Sequence, residues 1–179
     1  MADVERLVRR AAEVGFEHAV SLDPSTITLY EDVRAMCAAN QCAAYGRNWA
    51  CPPACGEIDT LQGQIARCRA GILVQTVAAL EDEFDGAGMM AAQDTHQRRF
   101  TALYTFLRAE KRRLLALGAG ACTRCAQCTC PDAPCRFPEE RVSSMEAYGM
   151  LVLEVCKANG LGYYYGPRSI AYTSCFLFE

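Results

Sequence analysis

The sequence predicts an α/β fold, a single-domain α/β sandwich over residues 1–179 with cysteine-rich loops attached to it. Three observations support this prediction. A length of 179 residues and a hydrophobic content of 51% suit one domain that buries its own core. Segments with helical spacing of apolar residues alternate with short β-rich runs. Most of the twelve cysteines lie between these segments, at the spacings that metal ligands use.

The first half of the chain predicts two helices, each followed by a strand. Apolar residues in 3–14 recur at helical spacing, and Gly15 suits the C-terminal cap of this helix. Residues 16–22 then predict a short strand. Residues 58–68 carry a second helical stripe, and the β-rich run 72–78 predicts a buried strand.

Residues 89–117 show the longest helical pattern in the chain. Apolar residues recur there at threes, fours and a seven, at Phe100, Leu103, Leu107, Leu114 and Leu117, and His96 is expected on the helix surface. Three cations, Lys111 to Arg113, lie near the predicted C-terminal end, where positive charge complements the helix dipole. Gly118 is expected to end the helix.

The last third of the chain predicts one more helix and two strands. Ser143 and Glu146 form a capping box, which predicts a helix over 143–159. Strands are expected at 162–165 and 170–178. Seven apolar residues are predicted to share one core: Phe100, Leu103, Leu107, Val152, Val155, Ile72 and Val74. Three cysteines at apolar positions are expected to pack there as small hydrophobes: Cys68, Cys156 and Cys175.

The stretch 121–138 contains five cysteines and predicts a metal centre. Cys122, Cys125 and Cys128 are spaced C-x2-C-x2-C, which lets one tight loop present three thiolates to a cubane iron–sulfur cluster. Cys135 is the predicted fourth ligand, and Cys130 competes for that place. Zinc sites usually use two separated C-x2-C pairs, so the triple repeat favours an iron–sulfur cluster over zinc. Zinc is the alternative metal.

A second group predicts another centre, distinct from the first. Cys37, Cys42 and Cys51 are spaced C-x4-C-x8-C, and three thiolates are too few for a closed cubane or zinc site. The fourth position is then Cys55, a non-cysteine ligand, or open to solvent or substrate. Pro52-Pro53 predicts an extended exit that carries Cys55 away from Cys51. Trp49 could shield this centre from water or simply pack in the core.

Positive charge near a thiolate-bound cluster raises its reduction potential. Arg34, Arg124 and Arg136 are candidates for this role, and each could equally be a surface residue. Arg136 is the best placed, because it follows a predicted ligand. The two cysteine groups need not share a site.

Composition argues against two classes of protein, those that bind nucleic acid and those that span a membrane. The net charge of −3 without a long basic run argues against a nucleic-acid partner. No apolar stretch is long enough to span a membrane, and the N-terminus lacks the apolar core of a signal peptide. Twelve cysteines then indicate a reducing, cytoplasmic compartment and metal ligands rather than disulfides. A homodimer is left open.

Four stretches and the C-terminus resemble a prokaryotic family of unknown function whose members are described as predicted metal-binding proteins. The matching stretches are V-R-A-M-C-A-A-N-Q-C-A-A-Y-G-R-N-W-A-C-P-P (33–53), F-D-G-A-G-M-M (84–90), G-A-G-A-C-T-R-C (118–125), P-C-R-F-P-E-E-R-V-S-S-M-E-A-Y-G (134–149) and the G-Y-Y-Y-G…Y-T-S segment (162–174). The resemblance implies seven metal ligands: Cys37, Cys42, Cys51, Cys122, Cys125, Cys128 and Cys135. Cys55, Cys130 and Cys175 fall outside the family pattern, which favours an open position at the first group.

Three hypotheses follow for the function. The first is a redox protein with one or two [4Fe-4S] clusters that passes electrons to a partner protein or small molecule. The second is a zinc-bearing structural or regulatory module. The third is a reductase acting at an open-site cluster held by Cys37, Cys42 and Cys51. No Ser/His/Asp set, phosphate loop or dinucleotide fingerprint indicates a conventional catalytic site.

Overall fold

The computed structural model describes residues 2–110 and 113–179. The α-helices among them are α1 (Ala2–Val14), α2 (Glu31–Cys37), α3 (Ile58–Ala66), α4 (Gly86–Ala109) and α5 (Val152–Ala158). The strands are β1 (His18–Leu22), β2 (Ala70–Ala79), β3 (Leu114–Gly118), β4 (Ser143–Ser144) and β5 (Ser169–Phe178). Short 3-10 turns occupy Pro24–Thr26, Pro138–Glu140 and Glu146–Tyr148.

One mixed sheet organises the fold and confirms the predicted α/β class. Its strand order is β1-β2-β5-β3-β4. The pairs β1/β2, β2/β5 and β3/β5 are antiparallel, and β3 pairs with β4 in parallel. The long central strands β2 and β5 pair along their whole length, from Ala70 opposite Phe178 to Ala79 opposite Ser169.

Helices cover both faces of this sheet, so the core has two halves. Ile72, Val74 and Phe176 point to the face that α1 and α4 cover. Leu73 and Cys175 point to the opposite face, under α3 and α5. Successive strand residues face opposite sides, which makes this division a direct result of the pleat.

The predicted common core is therefore partly wrong. Phe100, Leu103 and Leu107 pack with Ile72 and Val74 as expected. Val152 and Val155 pack on the other side of the sheet, because α5 covers the face to which Leu73 points. Cys68, Cys156 and Cys175 are buried in this second half of the core, as predicted.

The predicted helix 89–117 is too long at its C-terminal end. Helix α4 ends at Ala109, and residues 114–118 form β3 instead. The strand is favoured there because Leu114 to Leu117 pair with β5, which gives their backbone groups hydrogen-bond partners inside the sheet. Two of the three cations assigned to the helix end, Lys111 and Arg112, lie outside the described residues.

His96 is buried, with 1% of its surface exposed, so its predicted surface position is wrong. Helix α4 lies flat on the sheet and turns His96 towards it, in line with Ala92 and Phe100. The imidazole Nδ1 lies 3.0 Å from Thr76 Oγ1, and Nε2 lies 2.7 Å from Ser174 Oγ. Burial, with a smaller contribution from Arg99, lowers the pKa of His96 to about 4.

The segment after the second cysteine loop also differs from its prediction. Ser143 begins β4 rather than a helix, and Ser144 Oγ accepts a hydrogen bond from the Ala147 N–H at 3.0 Å. Gly149 adopts a left-handed φ of 96°, which separates the 3-10 turn from α5. Residues 162–165 form no strand, and the Gly162 carbonyl accepts a hydrogen bond from the Gln75 side chain at 3.1 Å instead of a strand partner.

Candidate metal centre

The two cysteine loops leave the fold at neighbouring places. Helix α2 ends at Cys37, and the first loop runs from there to α3. The second loop leaves the end of β3 at Gly118 and returns to β4, which is the parallel neighbour of β3. Both ends of the second loop are thus fixed to the same edge of the sheet.

Three contacts join the first loop to the second. The Asn48 side-chain amide donates a hydrogen bond to the Cys122 carbonyl at 3.0 Å. The Trp49 indole donates one to the Ala133 carbonyl at 3.0 Å. The Cys130 thiol donates to the Gly46 carbonyl at 3.7 Å. The loops are more than seventy residues apart in sequence, and the fold brings them into contact.

Asn48 is the residue that sequence reasoning missed. It is 8% exposed, and its Oδ1 accepts a hydrogen bond from the Ala50 N–H at 2.9 Å while its Nδ2 reaches Cys122. One buried amide therefore fixes the turn before Cys51 and the start of the second loop. Its sequence neighbourhood contains no signal for this role, because its partner is set by the tertiary fold.

The cysteines of the first loop lie in electrostatic range of one another. Burial, with smaller contributions from Cys42, Cys55, Cys37 and Cys122, raises the pKa of Cys51 to about 12. Burial, followed by Cys42, likewise raises the pKa of Cys37. The surroundings of Cys51 thus include one cysteine from the second loop.

Cys55 stays close to Cys51, so the predicted extended exit is wrong. The chain turns back after Pro52-Pro53, and the Cys55 N–H donates to the Cys51 carbonyl at 3.0 Å. The Cys55 side chain is buried, with its thiol 3.6 Å from the Ala147 carbonyl. Cys55 is therefore available beside the first group.

Arg34 is buried next to these cysteines, with 8% of its surface exposed. Its Nη2 donates to the Gly56 carbonyl at 2.6 Å and lies 3.9 Å from Cys55 Sγ. Its Nε is buried without a hydrogen-bond partner. Burial raises the pKa of Cys55, while the Arg34 charge acts in the opposite direction and favours the thiolate.

The second loop is more open. Cys122, Cys125, Cys128 and Cys135 are half-buried, and Cys130 is buried. Arg136, an exposed residue, donates from Nη1 to the Gln127 carbonyl at 2.8 Å and so links two parts of the loop. Arg124 pairs with Glu140 at 2.6 Å and lies over the Phe137 ring, 4.7 Å from its centre. Trp49 is half-buried against this loop.

Residues 20–178 match the model of a family described as predicted metal-binding protein (DUF2284). The chain belongs to this family. The match confirms the resemblance carried by the cysteine motifs and supports metal binding by this cysteine-rich chain. No curated protein and no solved structure is significantly similar to this DUF2284 member.

The residues present fit a thiolate-bound metal in chemistry. Cysteine thiolates select zinc and iron–sulfur clusters, and the unpaired Nε of Arg34 offers a buried donor beside Cys55. In residues 2–110 and 113–179, no three His, Cys, Asp or Glu side chains are already arranged as a metal site. The seven predicted ligands therefore stay a prediction. Within the same residues, no helix has the length and apolar character needed to span a bilayer.

Proposed function

We propose that this DUF2284 protein binds iron–sulfur clusters through its two cysteine loops and acts as a cytoplasmic redox protein. Its partner in electron transfer would be another protein or a small molecule. Cys122, Cys125, Cys128 and Cys135 would hold one [4Fe-4S] cluster, and Cys37, Cys42 and Cys51 would hold a second. Such clusters supply one-electron redox chemistry.

The contact between the loops is the observation that carries this proposal. Asn48 joins the turn before Cys51 to the Cys122 backbone at 3.0 Å, so the two predicted ligand groups are neighbours. In a zinc module, adjacent metal groups would contribute to stability alone, because zinc is not redox-active. Neighbouring redox groups shorten the path that an electron must cross.

Arg34 supports the redox role because it supplies buried positive charge. Its guanidinium lies 3.9 Å from Cys55 Sγ and is shielded from water. Charge inside a protein acts more strongly than charge at the surface. Arg34 would therefore favour the more negative, reduced state of a centre at the first loop.

Metal and sulfide analysis of protein purified without oxygen tests the proposal. We expect brown protein with broad visible absorption, acid-labile sulfide, and iron equal to two cubane clusters per chain. Cys42→Ser should halve the iron, while Cys55→Ser and the core variant Cys68→Ser should leave it unchanged. Colourless protein with stoichiometric zinc would favour the zinc module instead, and iron for one cluster at full occupancy would contradict the two-centre arrangement.

A redox titration tests the assignment of Arg34. Arg34→Gln removes the positive charge, so the midpoint potential of the first-loop centre should fall, while Arg34→Lys should keep most of it. Arg136→Gln is the matched control, because Arg136 is exposed and water screens its charge. Equal shifts in Arg34→Gln and Arg136→Gln would remove the special role of Arg34.

A further inference from the structure

A cleft of about 450 Å³ opens between α4 and the start of the second cysteine loop. We call it the α4 cleft; it is lined by residues 118–124, by Glu140 and Val142, and by one face of α4. Its volume falls within the roughly 300–1,000 Å³ of typical small-molecule sites. Cys122, a predicted metal ligand, is part of its lining.

One continuous stripe of α4 forms the helical wall of the cleft. Its residues recur at three- and four-residue steps, so they share one helix face: Gln97, Phe100, Thr101, Tyr104, Thr105 and Arg108. The Gln97 amide donates to Thr123 Oγ1 at 3.1 Å, and Arg108 Nη1 donates to the Glu139 carbonyl at 2.8 Å. These bonds connect α4 to the opposite wall at both ends of the stripe.

The charges in the lining leave Arg108 without a carboxylate partner among the described residues. Arg124 and Glu140 form an ion pair at 2.6 Å and offset each other. Arg108 Nη1 donates to two neutral oxygens, the Glu139 carbonyl and the Tyr104 hydroxyl, and the guanidinium lies over the Tyr104 ring, 5.8 Å from its centre. A guanidinium has five N–H donors in a fork that matches a carboxylate, so donors remain for a ligand.

The rest of the lining suits a flat apolar body. The half-buried Tyr104 ring stacks on the buried Phe100 ring at 6.1 Å with an angle of 12°, so Tyr104 supplies the aromatic surface of the helical wall. Val142 lies at the base beside Gly118, where an added Cβ would come within 3.4 Å of Val142 Cγ1. A side chain at position 118 would contact Val142 and Phe100, so glycine leaves this part of the cleft free.

We propose that the α4 cleft binds a small aromatic carboxylate, with the carboxylate on Arg108 and the ring against Tyr104. The guanidinium supplies a charge-assisted, two-point hydrogen bond, and the aromatic wall supplies apolar contact. A ligand bound there lies beside the Cys122 segment. The proposal concerns binding alone, so it holds whichever metal the cysteines carry.

Ligand-observed NMR titration with benzoate, on the full chain as purified, tests this site. We expect saturable binding with a Kd on the order of millimolar, as suits so small a ligand. Acetate carries the charge without the ring, and benzyl alcohol carries the ring without the charge. Each should bind at least about tenfold more weakly, a difference of about 1.4 kcal/mol.

Two variants on the same helix locate the binding. Arg108→Gln should weaken benzoate binding about tenfold, since it removes the charge but keeps hydrogen-bonding capacity. Arg98→Gln is the matched control: Arg98 is also an exposed arginine of α4, but it lies outside the cleft lining and bonds to Thr95 Oγ1. Its benzoate affinity should stay within about twofold of the parent, below the effect of one hydrogen bond.

Three results would overturn the proposal: no saturable benzoate binding, equal binding of benzoate and benzyl alcohol, or equal losses in Arg108→Gln and Arg98→Gln. The metal analysis is independent of these outcomes. Colourless, zinc-bearing protein that binds benzoate through Arg108 would reject the iron–sulfur proposal and support the cleft, and brown protein without benzoate binding would do the reverse.

Discussion

Cys175 and Cys125 show how differently one residue type is used in two regions of this molecule. Cys175 lies in the middle of β5, fully buried among leucine and methionine side chains. Burial raises its pKa strongly, so its thiol stays protonated and behaves as a small hydrophobe. Cys125 lies in an irregular loop, half-buried, in a segment rich in polar residues.

The two cysteines differ because the packed sheet and the cysteine loops are stabilised in different ways. The sheet and its helices exclude water by packing, and a cysteine there adds only volume. The loops have little apolar core of their own and are fixed by single contacts such as that of Asn48 with Cys122. A loop of this kind gains most from ligands that draw its thiols together, because metal binding supplies folding free energy.

The largest effect should come from a cavity in the core. Leu103 is fully buried under α4, so Leu103→Ala should lower the free energy of unfolding by about 2–5 kcal/mol. Metal content per folded chain should not change. Chemical denaturation measures the first, and metal analysis the second. Leu153→Ala is the control, because Leu153 is 48% exposed and its loss should cost no more than about 0.5 kcal/mol. Metal loss in Leu103→Ala would show that core and loops are not separable.

The second prediction concerns His96, a titratable group that is buried in the packed core rather than placed in a cysteine loop. Hydroxyls of Thr76 and Ser174 contact its nitrogens, the rings of Phe16 and Tyr172 flank it, and the Arg99–Glu17 pair lies close by. Its pKa is about 4 in the folded chain and about 6.5 when unfolded.

The unfolded state therefore binds more protons between pH 6.5 and 4, and the free energy of unfolding should fall as the pH falls through this window. The loss should be on the order of 3 kcal/mol, and denaturation at several pH values measures it. His96→Gln should flatten this dependence. His18→Gln should retain it, since His18 is exposed and stacks on Tyr165. A pH profile unchanged in His96→Gln would rule out the histidine as its source.

Much of the core was predictable from sequence because its signals are local. The helical spacing of 3–14 and the β-rich run 72–78 each matched an element of the structure. The failures arise where local signals are ambiguous. L-L-A-L-G at 114–118 fits a helix as well as a strand, and only pairing with β5 decides between them.

His96 was misplaced although a signal was present. It falls four residues before Phe100 and four after Ala92, on the stripe that faces the sheet. A polar residue on such a stripe is easily assigned to the surface, because its hydroxyl partners on β2 and β5 are remote in sequence. The same limit applies to the loops. Spacing identified the cysteine groups, but the contacts that join the groups depend on the fold.

A pair of cysteine substitutions tests directly whether core cysteines are structural and loop cysteines bind metal. Cys156 is fully buried on α5, so Cys156→Ala should cost about 1 kcal/mol of unfolding free energy and leave metal binding intact. Cys125→Ser should change the stability of metal-free protein by less than about 0.5 kcal/mol and abolish binding at its loop. Chelator-treated and metal-loaded samples, compared by denaturation and metal analysis, separate the two effects. Metal loss in Cys156→Ala would mean that the core cysteines are not merely structural.

The smallest effect is expected at the contact between the loops. Trp49→Phe keeps an aromatic ring but removes the indole N–H that donates to the Ala133 carbonyl. Water can replace this donor because Ala133 is exposed, so the free energy of unfolding should fall by less than about 1 kcal/mol. Local opening of the second loop should nevertheless become more frequent, since one of the three contacts that hold it is gone. Hydrogen exchange should then be faster at the Ala133 amide, which bonds to the Thr129 carbonyl at 2.9 Å.

Tyr45→Phe, another substitution in the first loop, serves as the control, because no side-chain bond of Tyr45 to the second loop is present in the described residues. If exchange at Ala133 is as slow in Trp49→Phe as in Tyr45→Phe, the indole contact does not hold the loops together, and the contacts of Asn48 and Cys130 would have to do so.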